Sequence, residues 1–293
     1  MFSYDKAFSR NLGWLTAAEQ DSLSRKRVAI GGLGGTGGHQ LLTLCRLGVG
    51  AFTIADFDTF DLPNFNRQAG AAVSTLRRPK IDVLADMAKD INPQLDLRVF
   101  PKGITDGNVS DFLHGVDAYV DSLDYFAFDA RNLVHKACAE RGIPAVIVAP
   151  LGMGAAMINF LPGGMTFEEY FRLDGQSDFK RAVRFLVGLS PALLQRTYLV
   201  DASRVRLSDH AGPSTAIACQ LCGGVAATEV LKLLLKRGKV YCAPWGVQFD
   251  AYRNRLTRTW RPWGNRNPWQ RMLVAIGLRR LARTQGAHAR APV

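Results

Sequence analysis

Cysteine is scarce and odd in number in this 293-residue chain, with only Cys45, Cys138, Cys219, Cys222 and Cys242. That count excludes the dense paired framework that staples small secreted domains. The N-terminus carries Asp5, Lys6 and Arg10 where a secretion signal would need an apolar core, and no stretch reads as the ~20 apolar residues of a bilayer-spanning helix. The expectation is a cytoplasmic chain with reduced thiols. Internal repeats and low-complexity linkers are also missing before residue 260, so one continuous domain over 1–260 is expected, with a distinct tail over 261–293. After Asp250 there is no Lys, Asp or Glu but there are ten Arg, so the first 250 residues hold 27 basic against 25 acidic groups out of a net +12. The globular part is nearly neutral, and nucleic acid is not the expected partner.

What is present begins with an ordinary globular composition, 47% hydrophobic and 21% charged, which can bury a full core. Val28 to Ile30 form a short buried-strand pattern that passes directly into Gly32-x-Gly34-Gly35-x-Gly37 and then a helical pattern to about Leu47. Such a turn lets backbone approach a polyphosphate without a Cβ in the way and points helix N–H groups at the anion. Alone it does not choose between ATP and NAD. Further strand patterns lie at 51–56, 95–100, 118–120 and 145–149, separated by helical patterns at 79–91, 109–114 and 125–141. That alternation predicts an α/β fold, a Rossmann-like and mostly parallel sheet with helices on both faces. The nucleotide-binding part spans about 26–150. Past Pro150 a substrate-facing part, about 151–260, brings a strand at 153–161, a helix at 178–187, a long apolar helix at 214–236 and a hairpin at 247–260, hence an antiparallel extension.

The polar residues at the strand ends narrow the chemistry. Asp56 follows the second strand 19 residues past Gly37, the spacing of a ribose ligand. In the next loop Asn64 and Arg67 suit phosphate or ribose oxygens, with Asp58 and Gln68 beside them. Lys80 opens a helix and can reach leaving phosphates. Asp124 follows the fourth strand and suits Mg²⁺, which takes one or two carboxylates plus substrate oxygens; it would also serve as N-cap of a helix beginning near Tyr125. Asp61, Asn66 and Asp121 fit loops or caps as well as ligands. An NAD(P)-dependent oxidoreductase would use the same glycines and Asp56 but leaves Arg67, Lys80 and Asp124 without a role. A non-catalytic nucleotide-binding scaffold stays open as a third reading.

The ordered set Gly-Leu-Gly-Gly-Thr-Gly, Asp56-Phe-Asp58, Leu62-Pro-Asn-Phe-Asn-Arg67-Gln68, Arg78-Pro-Lys80 and Asp121-Ser-Leu-Asp124 resembles the ThiF/MoeB/ubiquitin-activating adenylyltransferase family over roughly residues 8–165. The resemblance implies ATP as cosubstrate, Asp56 on ribose, Asn64, Arg67 and Lys80 on the phosphates, and Asp124 on Mg²⁺. It further implies a homodimer in which Arg10 reaches the neighbouring subunit's site, and a reaction that adenylates the C-terminal carboxylate of a ubiquitin-like protein or peptide. Two departures matter. Family members often hold structural zinc with two Cys-x-x-Cys pairs, whereas only Cys219-Gln-Leu-Cys222 is present; His210 and Cys242 are the remaining candidate ligands, and zinc is not expected. No cysteine lies between Cys138 and Cys219, where thioester-forming relatives carry their reactive residue, so adenylation without a thioester is the expected chemistry.

The tail interleaves Trp263, Trp269, Met272, Leu273, Ile276, Leu278 and Leu281 with Arg271, Arg279, Arg280 and Arg283. That pattern suits a membrane surface or an acidic partner, and equally a helix packed on its own protein. Cys219 and Cys222 read most simply as small apolar residues at the start of a buried helix.

Overall fold

The run Val28-Ala-Ile30 has no polar face, and it becomes strand β1 (Arg27–Gly31), all five residues of which are buried. The computed structural model describes residues 1–207 and 212–288, the side chains of 282–288 excepted. Around β1 are assembled β2 (Ala51–Ala55), β3 (Asp96–Phe100), β4 (Ala118–Asp121), β5 (Ala145–Leu151), β6 (Gly154–Phe160), β7 (Trp245–Asp250) and β8 (Arg255–Trp260). They form one eight-stranded sheet in the order β3-β2-β1-β4-β5-β6-β7-β8. The first five strands in that order run parallel, and β5 to β8 pair antiparallel. The strand order reverses between β1 and β4, so a crevice opens beyond their C-terminal ends, which is where open α/β sheets bind ligands.

One face is covered by α3 (Gly37–Arg46), α4 (Lys80–Ile91) and α9 (Ala216–Leu234) over a core that includes Leu41, Leu44, Leu84 and Val230. Each such side chain contributes about 1.5–3 kcal/mol by leaving water. Close approach of α9 to α3 depends on Gly223, where a Cβ would stand 3.0 Å from the Cβ of His39. The other face carries α5 (Val109–Phe112), α6 (Phe128–Arg141), α7 (Phe167–Phe171), α8 (Asp178–Leu189) and α10 (Pro268–His288) over a second, aromatic-rich cluster that includes Tyr119, Phe167 and Phe171. At the N-terminus α1 (Tyr4–Ala7) precedes α2 (Ala17–Ser24), which opens on a capping box, Thr16 Oγ1 accepting from Glu19 N and Glu19 accepting from Thr16 N.

Two expectations are corrected, and the reading of the tail, left open by the sequence, is narrowed. The fourth helix of the nucleotide half starts at Phe128 with Ala127 as its cap residue, so Asp124 is not a helix N-cap; its Oδ1 instead accepts from Phe126 N at 3.0 Å and closes a turn. The helix α9 is long and apolar enough to cross a membrane by length and composition, with a window hydropathy of 1.5, although half of that window is buried inside the protein. It is a core helix whose apolar character exceeds what one packed face requires. The tail is helical but not free of the protein: α10 lays Val274 and Gly277 onto α8, with a Cβ on Gly277 reaching to 3.0 Å of Val183.

Candidate nucleotide site

The glycines divide by what surrounds them. Gly32 has φ +85°, and a Cβ there would lie 2.3 Å from the Ser122 carbonyl oxygen; at Gly37 it would lie 2.0 Å from the Gly32 carbonyl oxygen. These two are required by the turn itself. At Gly34 the nearest atom to a Cβ is Gln68 Nε2 at 3.8 Å, and at Gly35 Cys219 Sγ stands at 3.2 Å with Arg67 Nε at 3.7 Å. The backbone of Gly34 and Gly35 therefore faces a space walled by Gln68, Arg67 and Cys219, at the N-terminus of α3, where oriented N–H groups favour an anion.

Asp56 lies just past β2 and is 9% exposed. Its Oδ2 accepts from Leu33 N at 2.6 Å and its Oδ1 from Asp58 N at 2.8 Å, so it ties the glycine loop to the second strand while each oxygen keeps a lone pair. Burial raises its pKa, against the lowering effect of those two N–H donors and of Lys80. Lys80, 5% exposed at the start of α4, donates to Asp58 Oδ2 at 3.0 Å. Asp58 is half-exposed, so it aims the ammonium, which retains two protons for an incoming anion.

Arg67 donates from Nη1 to the Pro63 carbonyl and to Asn66 Oδ1, with its Nε beside Gly35. Asn64 is drawn partly into local structure: its Oδ1 accepts from Asp61 N at 3.0 Å, leaving its amide NH₂ as the group able to meet a ligand. Gln68 is buried with Oε1 unpartnered, beside Gly34. Asp124 is exposed at the end of β4, on the β1/β4 crevice. Among the described residues no group of three or more His, Cys, Asp or Glu converges on a metal position. A single carboxylate at a phosphate site fits Mg²⁺, which completes its shell with phosphate oxygens and water.

Two site features, the partners of Asp121 and a hydroxyl chain behind the glycine loop, were not singled out by the sequence reading. Asp121 is no ligand: it is buried, accepting from Arg131 Nε at 2.8 Å and from His135 Nε2 at 2.9 Å. Burial works against its charge, but Arg131 and His135 outweigh that and hold it below the usual carboxylate range. Arg131 also donates to the carbonyls of Leu123, Asp124 and Tyr125 at 2.8, 3.0 and 3.2 Å, and so fixes the loop that carries Asp124. Spacing offered a weak signal, since Arg131 and His135 lie one helical turn apart on α6. The second feature is the chain Thr36 Oγ1 to Ser122 Oγ (2.6 Å) and on to Gln40 Oε1, which ties the glycine loop to β4 from behind.

Arg10 and the cysteine pair lie elsewhere. Arg10 is exposed in a short turn, Ser9–Asn11, docked through Asn11 Nδ2 on the carbonyls of Arg46 and Leu47. That is the far end of α3, roughly 15 Å along a ten-residue helix from the glycine loop, so Arg10 does not reach the site of its own chain. Cys219 and Cys222 are both buried on α9, Cys222 within the core and Cys219 against Gly35. His210 lies outside the described residues.

Comparison with known proteins bears on the fold and the family. The chain is 32% identical over 150 residues to the tRNA threonylcarbamoyladenosine dehydratase of Bacillus subtilis (strain 168), covering 51% of this chain and 57% of that protein. It is 29% identical over 143 residues to the sulfur carrier protein ThiS adenylyltransferase of Escherichia coli (strain K12), covering 49% and 56%. The chain thus spans little more than half the length of these curated relatives. The solved structure of E. coli MccB with ATP superimposes with a TM-score of 0.63 at 20% identity, over 87% of this chain and 71% of MccB, a likeness of fold. The model of the ThiF family matches residues 8–271, nearly the whole sheet together with its phosphate turn and strand-end residues, and this chain belongs to the ThiF family.

Proposed function

We propose that this chain is an ATP- and Mg²⁺-dependent adenylyltransferase that activates a carboxylate, most simply the C-terminus of a peptide or ubiquitin-like protein. The observation that supports the reading is the space beside Gly34 at the N-terminus of α3, walled by Gln68 with Arg67 next to Gly35, at the end of the sheet that also carries Lys80, held by Asp58, and the exposed Asp124. A hydride carrier would need the glycines and Asp56 but not two cations and an exposed carboxylate around the phosphates. In the reaction a substrate carboxylate oxygen forms a bond to the α-phosphorus, the bond from that phosphorus to the bridging oxygen breaks, and pyrophosphate leaves. Mg²⁺ held by Asp124 would neutralise charge on the phosphate oxygens. The protein's own part is positioning: Asp56 holds the ribose, the α3 N-terminus and Arg67 the phosphates, and Lys80, aimed by Asp58, the departing pyrophosphate. The relatives include both a carrier-protein adenylyltransferase and a tRNA-modifying dehydratase. The favoured acceptor here is peptidic because residues 1–250 are nearly neutral, with 27 basic against 25 acidic groups.

The same reading makes the protein a homodimer. Arg10 is exposed and far from its own glycine loop, which suits delivery to a second copy. The outward side of α9 and β7 leaves an apolar groove of about 490 Å³ lined by Ile217, Leu221, Val225 and Phe249, a surface that a second copy would cover.

The test is ATP–pyrophosphate exchange with free-acid and C-terminally amidated peptides and small carrier proteins. Exchange is expected to need Mg²⁺ and a free carboxylate, and to fall about a hundredfold or more in Asp124→Ala and Arg67→Ala. Thermal stabilisation by NAD and not by ATP would sink the proposal. Mixing Arg10→Ala with Asp124→Ala chains should restore part of the activity in mixed dimers; no recovery despite demonstrated subunit exchange would remove the role in trans.

A further inference from the structure

From the C-terminal end of the sheet and the first turns of α10 we infer a docking surface for an anionic lipid membrane, independent of the adenylation chemistry. Tryptophan is seldom left in water by a folded protein, yet Trp260, Trp263 and Trp269 are 55%, 63% and 66% exposed. They belong to one locality. Trp260 ends β8, Trp263 begins the turn that leads to α10, and Arg261 Nε donates to Gln270 Oε1 at 3.3 Å, which ties the end of the strand to the first turn of the helix.

Helix α10 already buries one face on α8 with Val274, so Leu273, Leu278 and Leu281, which pack partly on the same cluster, are not available to a membrane. What remains outward is a separate stripe of Trp269, Met272 and Ile276 at spacings of three and four, 66%, 44% and 36% exposed. Those spacings place all three on one side of the helix. Core packing does not explain them, because the core side is satisfied without them.

The charge around this stripe has one sign. Arg255 and Arg258 are exposed on β8, and Arg266, Arg271 and Arg279 are exposed on the turn and the helix. No ion pair joins any of these five to a carboxylate among the described residues, and no acidic residue follows Asp250 to supply one. Arg258 instead lies over the Tyr241 ring at 4.8 Å. An aromatic and aliphatic tip collared by unpaired arginines is complementary to a membrane interface: indole rings sit at the headgroup level, Met272 and Ile276 enter the acyl boundary, and the guanidinium groups meet lipid phosphates. Nucleic acid would account for the arginines and the tryptophans but leaves Met272 and Ile276 exposed to water. An acidic protein groove would have to enclose a helix whose other face is already packed on α8.

The experiment uses the full chain with vesicles of phosphatidylcholine alone or mixed with phosphatidylglycerol. Sedimentation with the anionic vesicles is expected, accompanied by a blue shift of tryptophan emission, and weakening as salt is raised. Trp269→Ser combined with Met272→Ser should lower the partition coefficient at least tenfold, and Arg271→Gln with Arg279→Gln about fivefold per arginine. All four positions are exposed, so unchanged thermal melting will show that the variants remain folded. Equal binding to neutral vesicles, no binding, or variants that bind as the parent does would each overturn the inference. So would displacement from vesicles by tRNA or polyglutamate at concentrations where the lipid does not compete back.

Discussion

The division of the glycine loop into structural and ligand-facing positions predicts that Gly37→Ala and Gly34→Ala fail in different ways. A methyl at 37 would stand 2.0 Å from the Gly32 carbonyl oxygen and 3.2 Å from Ser122 Cβ. The main clash is with the backbone of Gly32, so no rotamer relieves it, and the turn between Gly32 and α3 must open. The cost belongs at the upper end of overpacking, about 3 kcal/mol. A methyl at 34 meets only Gln68 Nε2 at 3.8 Å, an ordinary van der Waals contact, and should change folding by less than ~1 kcal/mol. It would, however, occupy the space into which phosphate oxygens must come to reach the loop N–H groups. A tenfold or greater loss of ATP affinity, ~1.4 kcal/mol or more, is expected. Urea denaturation followed by circular dichroism gives the first quantity and titration calorimetry with Mg·ATP the second. If Gly34→Ala unfolds as easily as Gly37→Ala, or binds ATP like the parent chain, the assignment of that space to phosphate is wrong.

Arg131→Lys keeps the charge beside Asp121 but cannot reproduce the three carbonyl contacts at 123–125. It should cost about 3 kcal/mol in a denaturant midpoint and raise the Mg²⁺ concentration needed for half-maximal pyrophosphate exchange, because the loop bearing Asp124 loosens; a shift in stability with an unchanged Mg²⁺ requirement would confine Arg131 to the core. Burial lowers the pKa of His135, opposed by its bond to Asp121, so the unfolded chain takes up a proton below about pH 6.5 that the folded chain resists. Stability is therefore present above that pH and falls below it, by up to ~1.4 kcal/mol per pH unit. His135→Gln, which keeps an N–H donor, should flatten the decline between about pH 6.5 and 5, and a decline of unaltered slope in denaturant midpoints would contradict this.

How much of this was legible beforehand follows from the range over which each interaction acts. Val28 to Ile30, the glycines and the 19-residue step to Asp56 are local in sequence, and the central sheet follows from them. The candidate ligands Asp56, Lys80 and Asp124 were likewise readable because they sit just past a strand or at the start of a helix, whereas Asn64 and Arg67 were singled out by residue type within the loop between β2 and α4. What could not be read are facts of packing. That Gly34 is open while Gly32 and Gly37 are closed depends on Ser122 and Gln68, which arrive from other elements of the sheet. That Asp121 is spent on Arg131 and His135 while its neighbour Asp124 is exposed depends on α6 beginning at Phe128, three residues later than its pattern suggested, since Asp124 closes a turn first. The tail shows the same principle from the opposite side. Its composition listed Trp269, Met272, Leu273, Ile276, Leu278 and Leu281 as one amphipathic set, but contact with α8 divides them, placing Leu273, Leu278 and Leu281 toward the protein and leaving Trp269, Met272 and Ile276 outside. A hydrophobic pattern states how much apolar surface a helix carries; only the neighbour it packs against determines how much is left for a partner. For α10 that remainder is a short stripe with arginines around it, and for α9 it is a broader face without them. As proposed above, the two surfaces differ in the occupant that fits them, a charged interface for the first and a second copy of the chain for the second.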